Sequence, residues 1–368
     1  MPIYMDRHDV SETVTAAHVL EIHQEDLKIQ DQYGCRVLTY WFDDIRKNAF
    51  CLVEAPDVMA IHKMHSEAHG NIPNSIIEVS TGIVEMFLGR IEDPEHLQNS
   101  ELSIINESAL RTIMIITLKQ LTPPPINLSG IKSTPPAYNS EVISQLHLHE
   151  GTLVKQLENY FLVSFKSVCN AVHAALKIHL LFKEFNKLNN DPFTYKIGLN
   201  SGLPVTEKKL LFEDTIKFAE RMCKVVKGQV ILSAEVKELF NNENSKALAE
   251  GENIFSLTQT DEKFLTFLMD YTEATWNNEN LKIDDFSKPL GCSKSQLYRK
   301  MISLTGKSPN NFILEYRLNE ALLLLSKKAG NIAEIAYKTG FTSPSYFSKC
   351  FKKKYGFLPS DYQVVKVA

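Results

Sequence analysis

The sequence predicts a chain of three domains that differ in class: an α+β domain over residues 1–82, an α/β domain over 105–258 and an all-α domain over 261–368. Three observations carry that division. Secondary-structure signals in the first eighty residues run β-α-β-β-α-β. Strand and helix signals then alternate on either side of a proline-rich break between Pro123 and Pro136. From Asp261 onward the pattern is helical throughout, and the charge changes sign. Residues 291–368 hold 13 Lys+Arg against 4 Asp+Glu, whereas the first 290 hold 27 against 40. A basic end on an acidic body suits a nucleic-acid-binding module joined to a part that does not itself bind DNA.

At 368 residues the chain has length for two or three domains with real cores. It contains no run of about eighteen apolar residues, so no membrane-spanning helix is expected. Its start, Met1-Pro2-Ile3-Tyr4-Met5-Asp6-Arg7-His8-Asp9, lacks the basic-then-apolar layout of a signal peptide. The six cysteines, at 35, 51, 169, 223, 292 and 350, are scattered and form no CxxC pair. That argues for a reducing cytoplasm, and against a disulfide framework or a structural zinc site.

In the first domain, Tyr4–Arg7 reads as a strand and Thr15–Tyr33 as a helix stopped by Gly34. Cys35–Phe42 and Asn48–Glu54 read as two strands, Asp57–His69 as a second helix and Ser75–Val79 as a last strand. This order is that of a ferredoxin-like split βαβ unit. Histidine is dense here. His65 and His69 lie four apart on one helix face, the spacing two imidazoles need to grip one ion. Asp6 and His8 lie two apart on a strand and share a sheet face. Together they form a candidate site for nickel or another divalent transition metal. The segments Met5-Asp6-Arg7-His8, Tyr40-Trp41-Phe42-Asp43, Phe50 to Pro56 and His65-xxx-His69-Gly70 resemble the small bacterial nickel-binding domain. That resemblance covers about residues 1–80 and implies a dimeric ferredoxin-like fold.

In the second domain, a strand at Leu110–Leu118 is followed by the proline-rich break, a short helix, and a hairpin over Thr152–Phe165 turning near Glu158-Asn159. A long helix follows at Val168–Leu188, then a strand at Thr194–Leu199, a turn at Gly202, a helix at Phe212–Val226 and a strand at Gln229–Ser233. Phe165 to Ala175, Lys196 to Gly202 and Gly228 to Ser233 resemble the class III nucleotide cyclase catalytic domain. The resemblance implies two aspartates holding two metal ions, because the triphosphate's charge must be neutralised during attack. At the matching places this chain has Thr117 and Asn159. The family's transition-state asparagine is replaced by Lys217, while its arginine remains as Arg221. The expectation is a degenerate, non-catalytic sensing or dimerising domain.

In the third domain, helices are expected from Phe264 to Trp276, from Leu281 to Phe286, and from an N-capping Ser293 to Ser303. Pro309 suits the first turn of a long helix reaching Ser326. Asn331 caps Ile332–Thr339, Gly340 turns, and Ser345–Tyr355 forms a basic helix footed on Phe347 and Phe351 and stopped by Gly356. One helix-turn-helix unit thus occurs twice, bridged by one helix. Gly340-Phe341, Ser345-Tyr346-Phe347, Phe351-Lys352, Gly356, Pro359 and Tyr362, with Ser293, Leu297, Arg299, Gly306, Pro309, Arg317, Leu318 and Ala321, resemble the DNA-binding domain of AraC/XylS transcription regulators over about 265–365.

By position and chemistry, Ser295, Tyr298 and Arg299 of the first recognition helix face the groove, and arginine pairs bidentately with guanine. In the second, Pro344, Ser345, Ser348 and Lys349 match the base-facing positions of that family. Lys294, Lys300, Lys352 and Lys353 are expected on phosphates, which position without specifying. The sequence therefore predicts a cytoplasmic, non-enzymatic regulator on double-stranded DNA, forming a homodimer and contacting RNA polymerase, with its N-terminal domains sensing a signal. The rival readings are a nickel-binding protein with secondary DNA binding and an active nucleotide cyclase.

Overall fold

The computed structural model describes residues 1–94, 104–120, 138–188, 193–243 and 254–364. The proline-rich break expected between Pro123 and Pro136 lies outside them. The first sheet is built from β1 (Ile3–Asp9), β2 (Arg36–Asp43), β3 (Asn48–Glu54) and β4 (Ser75–Val79), in the order β2-β3-β1-β4, with every pairing antiparallel. Helices α1 (Ala16–Ile29) and α2 (Val58–Ala68) connect it. Thr15 caps α1 and Asp57 caps α2 through side-chain bonds to the third backbone N–H of each. The first helix ends earlier than expected, because Gln30–Tyr33 tightens into a 3-10 turn before Gly34 adopts φ +62°.

Strands β2 and β3 are buried along almost their whole length, so both faces of this sheet are covered. Tyr4, Tyr40, Phe42, Cys51 and Val53 pack with Val19, Leu20, Ile61 and Met64 of the two helices. On the other face Met5, Trp41, Phe50 and Leu52 pack with Val84, Phe87 and Leu88 of α3 (Thr81–Leu88), and with Val205, Leu211 and Phe212 of the next domain. The sequence reading missed α3, although Ser80 caps it and Gly89 closes it at φ +83°. Arg111 ties the two domains together by donating to the α3 carbonyls of Phe87 (2.9 Å) and Leu88 (3.0 Å), which have no partner within the helix.

The second sheet comprises β5 (Arg111–Gln120), β6 (Thr152–Leu157), β7 (Tyr160–Phe165), β8 (Phe193–Gly202), β9 (Val230–Leu232) and β10 (Ile254–Ser256), in the order β10-β9-β8-β5-β7-β6. Its first strand pairs antiparallel with the third and fourth, as β1 does in the first sheet, while β9 and β10 extend it in parallel. Helices α4 (Tyr138–Leu148), α5 (Val168–Leu188) and α7 (Ala234–Glu243) accompany it, as does α6 (Glu213–Val225). Helix α7 and strand β10 were not expected from the sequence; both are short, at ten and three residues. Thr117 and Asn159 lie on neighbouring strands: Thr117 pairs with Tyr160, and the Leu118 N–H donates to the Asn159 carbonyl at 3.0 Å.

The helical region comprises α8 (Gln259–Thr275), α9 (Ile283–Ser287), α10 (Lys294–Thr305), α11 (Pro309–Ser326), α12 (Ile332–Lys338), α13 (Pro344–Tyr355) and α14 (Pro359–Val364). Its apolar residues divide between two cores. Phe264, Leu268, Leu297, Met301, Leu304 and Tyr316 are continuous with the sheet domains. Leu318, Ala321, Ile335, Ala336, Phe347 and Phe351 form a separate cluster.

Candidate nucleic-acid interface and a buried histidine–carboxylate cluster

Both recognition helices start at a serine cap. The Ser293 hydroxyl accepts from the Gln296 N–H at 3.2 Å, and the Gln296 side chain accepts in return from the Ser293 N–H at 2.8 Å, closing a capping box at the head of α10. At α13 the Ser343 hydroxyl accepts from the Tyr346 N–H at 3.3 Å, and Pro344 occupies the first turn. Gly306 and Gly356 end the two helices in the left-handed region. The turn into α13 needs Gly340, which has φ +78°; a side chain there would meet the Arg317 guanidinium and the Asn277 carbonyl at 3.0 Å.

Each helix buries one stripe and shows the other. Leu297 and Met301 hold α10 down, and Phe347 and Phe351 hold α13 down. Lys294, Ser295, Tyr298, Arg299, Ser345, Lys349, Lys352 and Lys353 are exposed, while Lys300, Pro344 and Ser348 are half-buried. Arg299 lies back along its helix, with Nε donating to the Ser295 carbonyl at 3.4 Å. Lys294 pairs with Asp284 at 2.8 Å, both side chains exposed, an attachment worth about 0–1 kcal/mol. Lys300 is turned away: it pairs with Asp261, whose carboxyl is held below its usual range because that pairing and the Thr258 bonds outweigh burial. Lys354 is turned away too, its amine donating to the Glu315 carbonyl (3.1 Å) and to Asn319 (2.9 Å). Burial brings Lys354 down to about 8.

In the first domain the four predicted metal-site residues come together, joined by two that the sequence reading missed. His65 is fully buried, with Nε2 3.0 Å from Asp6 Oδ2 and Nδ1 3.0 Å from Asp26 Oδ1. His69 caps the end of α2 and brings Nε2 within 3.1 Å of His65 Nδ1 and 3.2 Å of Asp26. On β1, His8 Nε2 lies 3.4 Å from Asp6 Oδ1 without a hydrogen bond, and the Cys51 N–H donates to that oxygen at 2.9 Å. The spacing of Asp26 from Val19, Leu20 and His23 places it on the apolar stripe of α1, a signal that the position is inward but not that His65 is its partner.

Burial alone would raise the Asp6 carboxyl, but the neighbouring His8 ring and the bond from His65 win and hold it well below its usual range. Burial alone would lower His65; bonds to Asp26 and Asp6 outweigh it and lift it to about 10. The ring is thus clasped between two carboxylates that favour its protonated form. His8 Nε2 and Asp26 Oδ2 are buried and have no hydrogen-bond partner. Two nitrogen- and oxygen-rich groups result, Asp6-His8-Cys51 and Asp26-His65-His69, whose donor atoms are close enough to share an ion.

Residues 286–364 match the family model described as a helix-turn-helix domain, and residues 4–79 match that described as nickel responsive protein SCO4226-like. The chain is 39% identical over 120 residues to the histidine kinase P4 of Formosa agariphila, covering 33% of this chain and 9% of the kinase. It is 34% identical over 96 residues to the transcriptional regulator MtrA of Neisseria gonorrhoeae, covering 26% and 30% of the two chains. It is 25% identical over 233 residues to the urease operon transcriptional activator of Escherichia coli, covering 58% and 76%. The chain spans less than a third of the length of the first two of these relatives. No helix among the described residues is long and apolar enough to cross a membrane.

Proposed function

We propose that the chain is a sequence-specific regulator of transcription, of the AraC/XylS type, that reads double-stranded DNA with two helix-turn-helix units. The observation that carries this reading is the pair of capped helices, α10 and α13, each rooted on apolar residues and each presenting an exposed polar and basic face. Ser295, Tyr298, Arg299, Pro344, Ser345, Ser348 and Lys349 are assigned to bases, and Lys294, Lys352 and Lys353 to phosphates. Lys300 reaches a phosphate only after leaving Asp261. The regulator works in the cytoplasm as a homodimer and contacts RNA polymerase. Its middle domain, cyclase-like in plan, has Thr117 and Asn159 where carboxylates would anchor metal ions, and it serves as a structural and sensing part without catalysis.

The test is DNA selection with the full chain, followed by binding of Arg299→Ala and Lys349→Ala. Each loses roughly 1–3 kcal/mol on the selected site and much less on random DNA. Equal losses on both would remove the base-reading assignment.

The ferredoxin-like first domain is the sensor in this reading. A nickel or related divalent ion would be held by His65, His69 and Asp26, with Asp6 and His8 beside them; the orphaned Asp26 oxygen and His8 nitrogen fit such an ion. The ion would supply positive charge where the protonated His65 now supplies it. A metal-handling protein that binds DNA secondarily is the second reading, favoured by the burial of this cluster. Nickel content of the purified chain and of His65→Ala and His69→Ala variants decides the ligand set: unchanged content would refute it.

A further inference from the structure

Helix α6 lies between the second sheet and the helical region, and its outward side grips that region at several points. Arg221 is almost fully buried and donates from Nε to Glu273 at 3.2 Å and from Nη2 to Glu273 at 2.5 Å and Asp270 at 2.6 Å, both acceptors on α8. Such two-pronged, charge-assisted bonds fix direction as well as distance. Lys224, one turn on, donates to Glu320 of α11 at 3.3 Å and stands 4.1 Å over the Tyr316 ring. The Lys227 N–H donates to the Leu304 carbonyl in the last turn of α10 at 2.8 Å. From the end of β5, Lys119 stands 5.7 Å over the Tyr355 ring at the foot of α13. The middle domain therefore touches the first unit, the bridging helix and the second unit.

We propose that Arg221 and Lys224 are positioning residues for DNA recognition, through which the middle domain sets the angle between the two helix-turn-helix units and with it the half-site spacing the chain accepts. This inference rests on the DNA-binding reading above. Two recognition helices read one duplex face only when they are held about one helical turn, ~34 Å, apart. The second unit has its own apolar core and is joined to the first through α11, so α11 is where their mutual angle is set. Lys224 holds α11, Arg221 holds α8 in front of it, and Lys119 steadies α13. Asp270 and Glu273 remain partly exposed, so loss of Arg221 strands no buried charge, and the variant chain keeps its fold.

The experiment uses the full chain and the site selected with it. Binding is measured to that site, to the same site with a few base pairs inserted between its halves, and to a single half-site. The wild-type chain rejects the inserted site. Arg221→Gln, Lys224→Met and, from the opposite side, Glu273→Gln each cut that discrimination by about tenfold, within the range usual for coupled sites, and leave the half-site affinity unchanged. The exchange Arg221→Glu with Glu273→Arg restores discrimination. Variants that discriminate as the wild type does, or that lose all three affinities in parallel, overturn the inference. A wild-type chain that selects no sequence overturns the DNA-binding reading and this inference with it, and is told apart by that first step alone.

Discussion

The first helix-turn-helix unit shares an apolar core with both sheet domains, whereas the second closes a core of its own around Phe347 and Phe351. The two units have the same kind of capped recognition helix, yet they stand in different mechanical surroundings. In α10 two lysines are engaged by acids, Lys294 by Asp284 and Lys300 by Asp261. In α13, Lys349, Lys352 and Lys353 are exposed and Lys354 alone is folded back. The difference teaches that one unit is an extension of the body of the protein, and the other is an appendage carried on α11. The sheet domains join α10 through packed side chains, whereas α13 meets them among the described residues through the contact of Lys119 with Tyr355.

The largest expected effect breaks the comparison open. Phe347→Ala removes a fully buried ring and costs about 3–5 kcal/mol. Because that ring belongs to the separate core, hydrogen exchange should rise across α12–α14 while α10 and the two sheets keep their protection. Leu297→Ala costs about 2–5 kcal/mol, and exchange should rise in the first unit together with the strands it packs on. Loss of protection confined to one unit in both variants would mean that the cores are not divided in this way.

A smaller effect sharpens the electrostatic side. Lys352→Ala and Lys353→Ala should each weaken binding uniformly across DNA sequences and reduce the salt dependence by about one counterion. Lys300→Ala should change the salt dependence less, since its amine is already engaged by Asp261. Equal changes at all three positions would show that the Asp261 pair opens on DNA. Smallest of all are the caps: Ser293→Ala and Ser343→Ala should each cost about 1 kcal/mol in thermal stability. Ser293 should cost more, since it anchors a reciprocal capping box and Ser343 accepts a single bond.

Much of the helical region was legible because its punctuation is local. Ser293, Pro309 and Asn331 mark starts, and Gly306 and Gly356 mark stops, within a few residues of the observed ends, while the Ser308 and Ser343 caps came only from the structure. The long helix Val168–Leu188 was equally plain from its period. What stayed hidden depended on distance along the chain. Asp26 meets His65 across 39 positions, and Arg221 meets Asp270 and Glu273 across 49 and 52; no pattern within a window of sequence announces such pairs. Arg221 had drawn attention through its resemblance to a catalytic arginine, and the structure gives it a neighbouring helix as its partner. Helix α3 was missed at a domain edge, because eight residues offer barely two turns of periodicity.

The first sheet has consequences for how such a domain travels between proteins. Its second face is roofed by α3 and by Val205, Leu211 and Phe212, which belong to the neighbouring domain. A fragment ending at residue 82 would sever α3 and lay Trp41, Phe50 and Leu52 open to water. The first domain is therefore completed from outside itself: its second face stays dry only while α3 and the Val205–Phe212 segment follow it in the same chain.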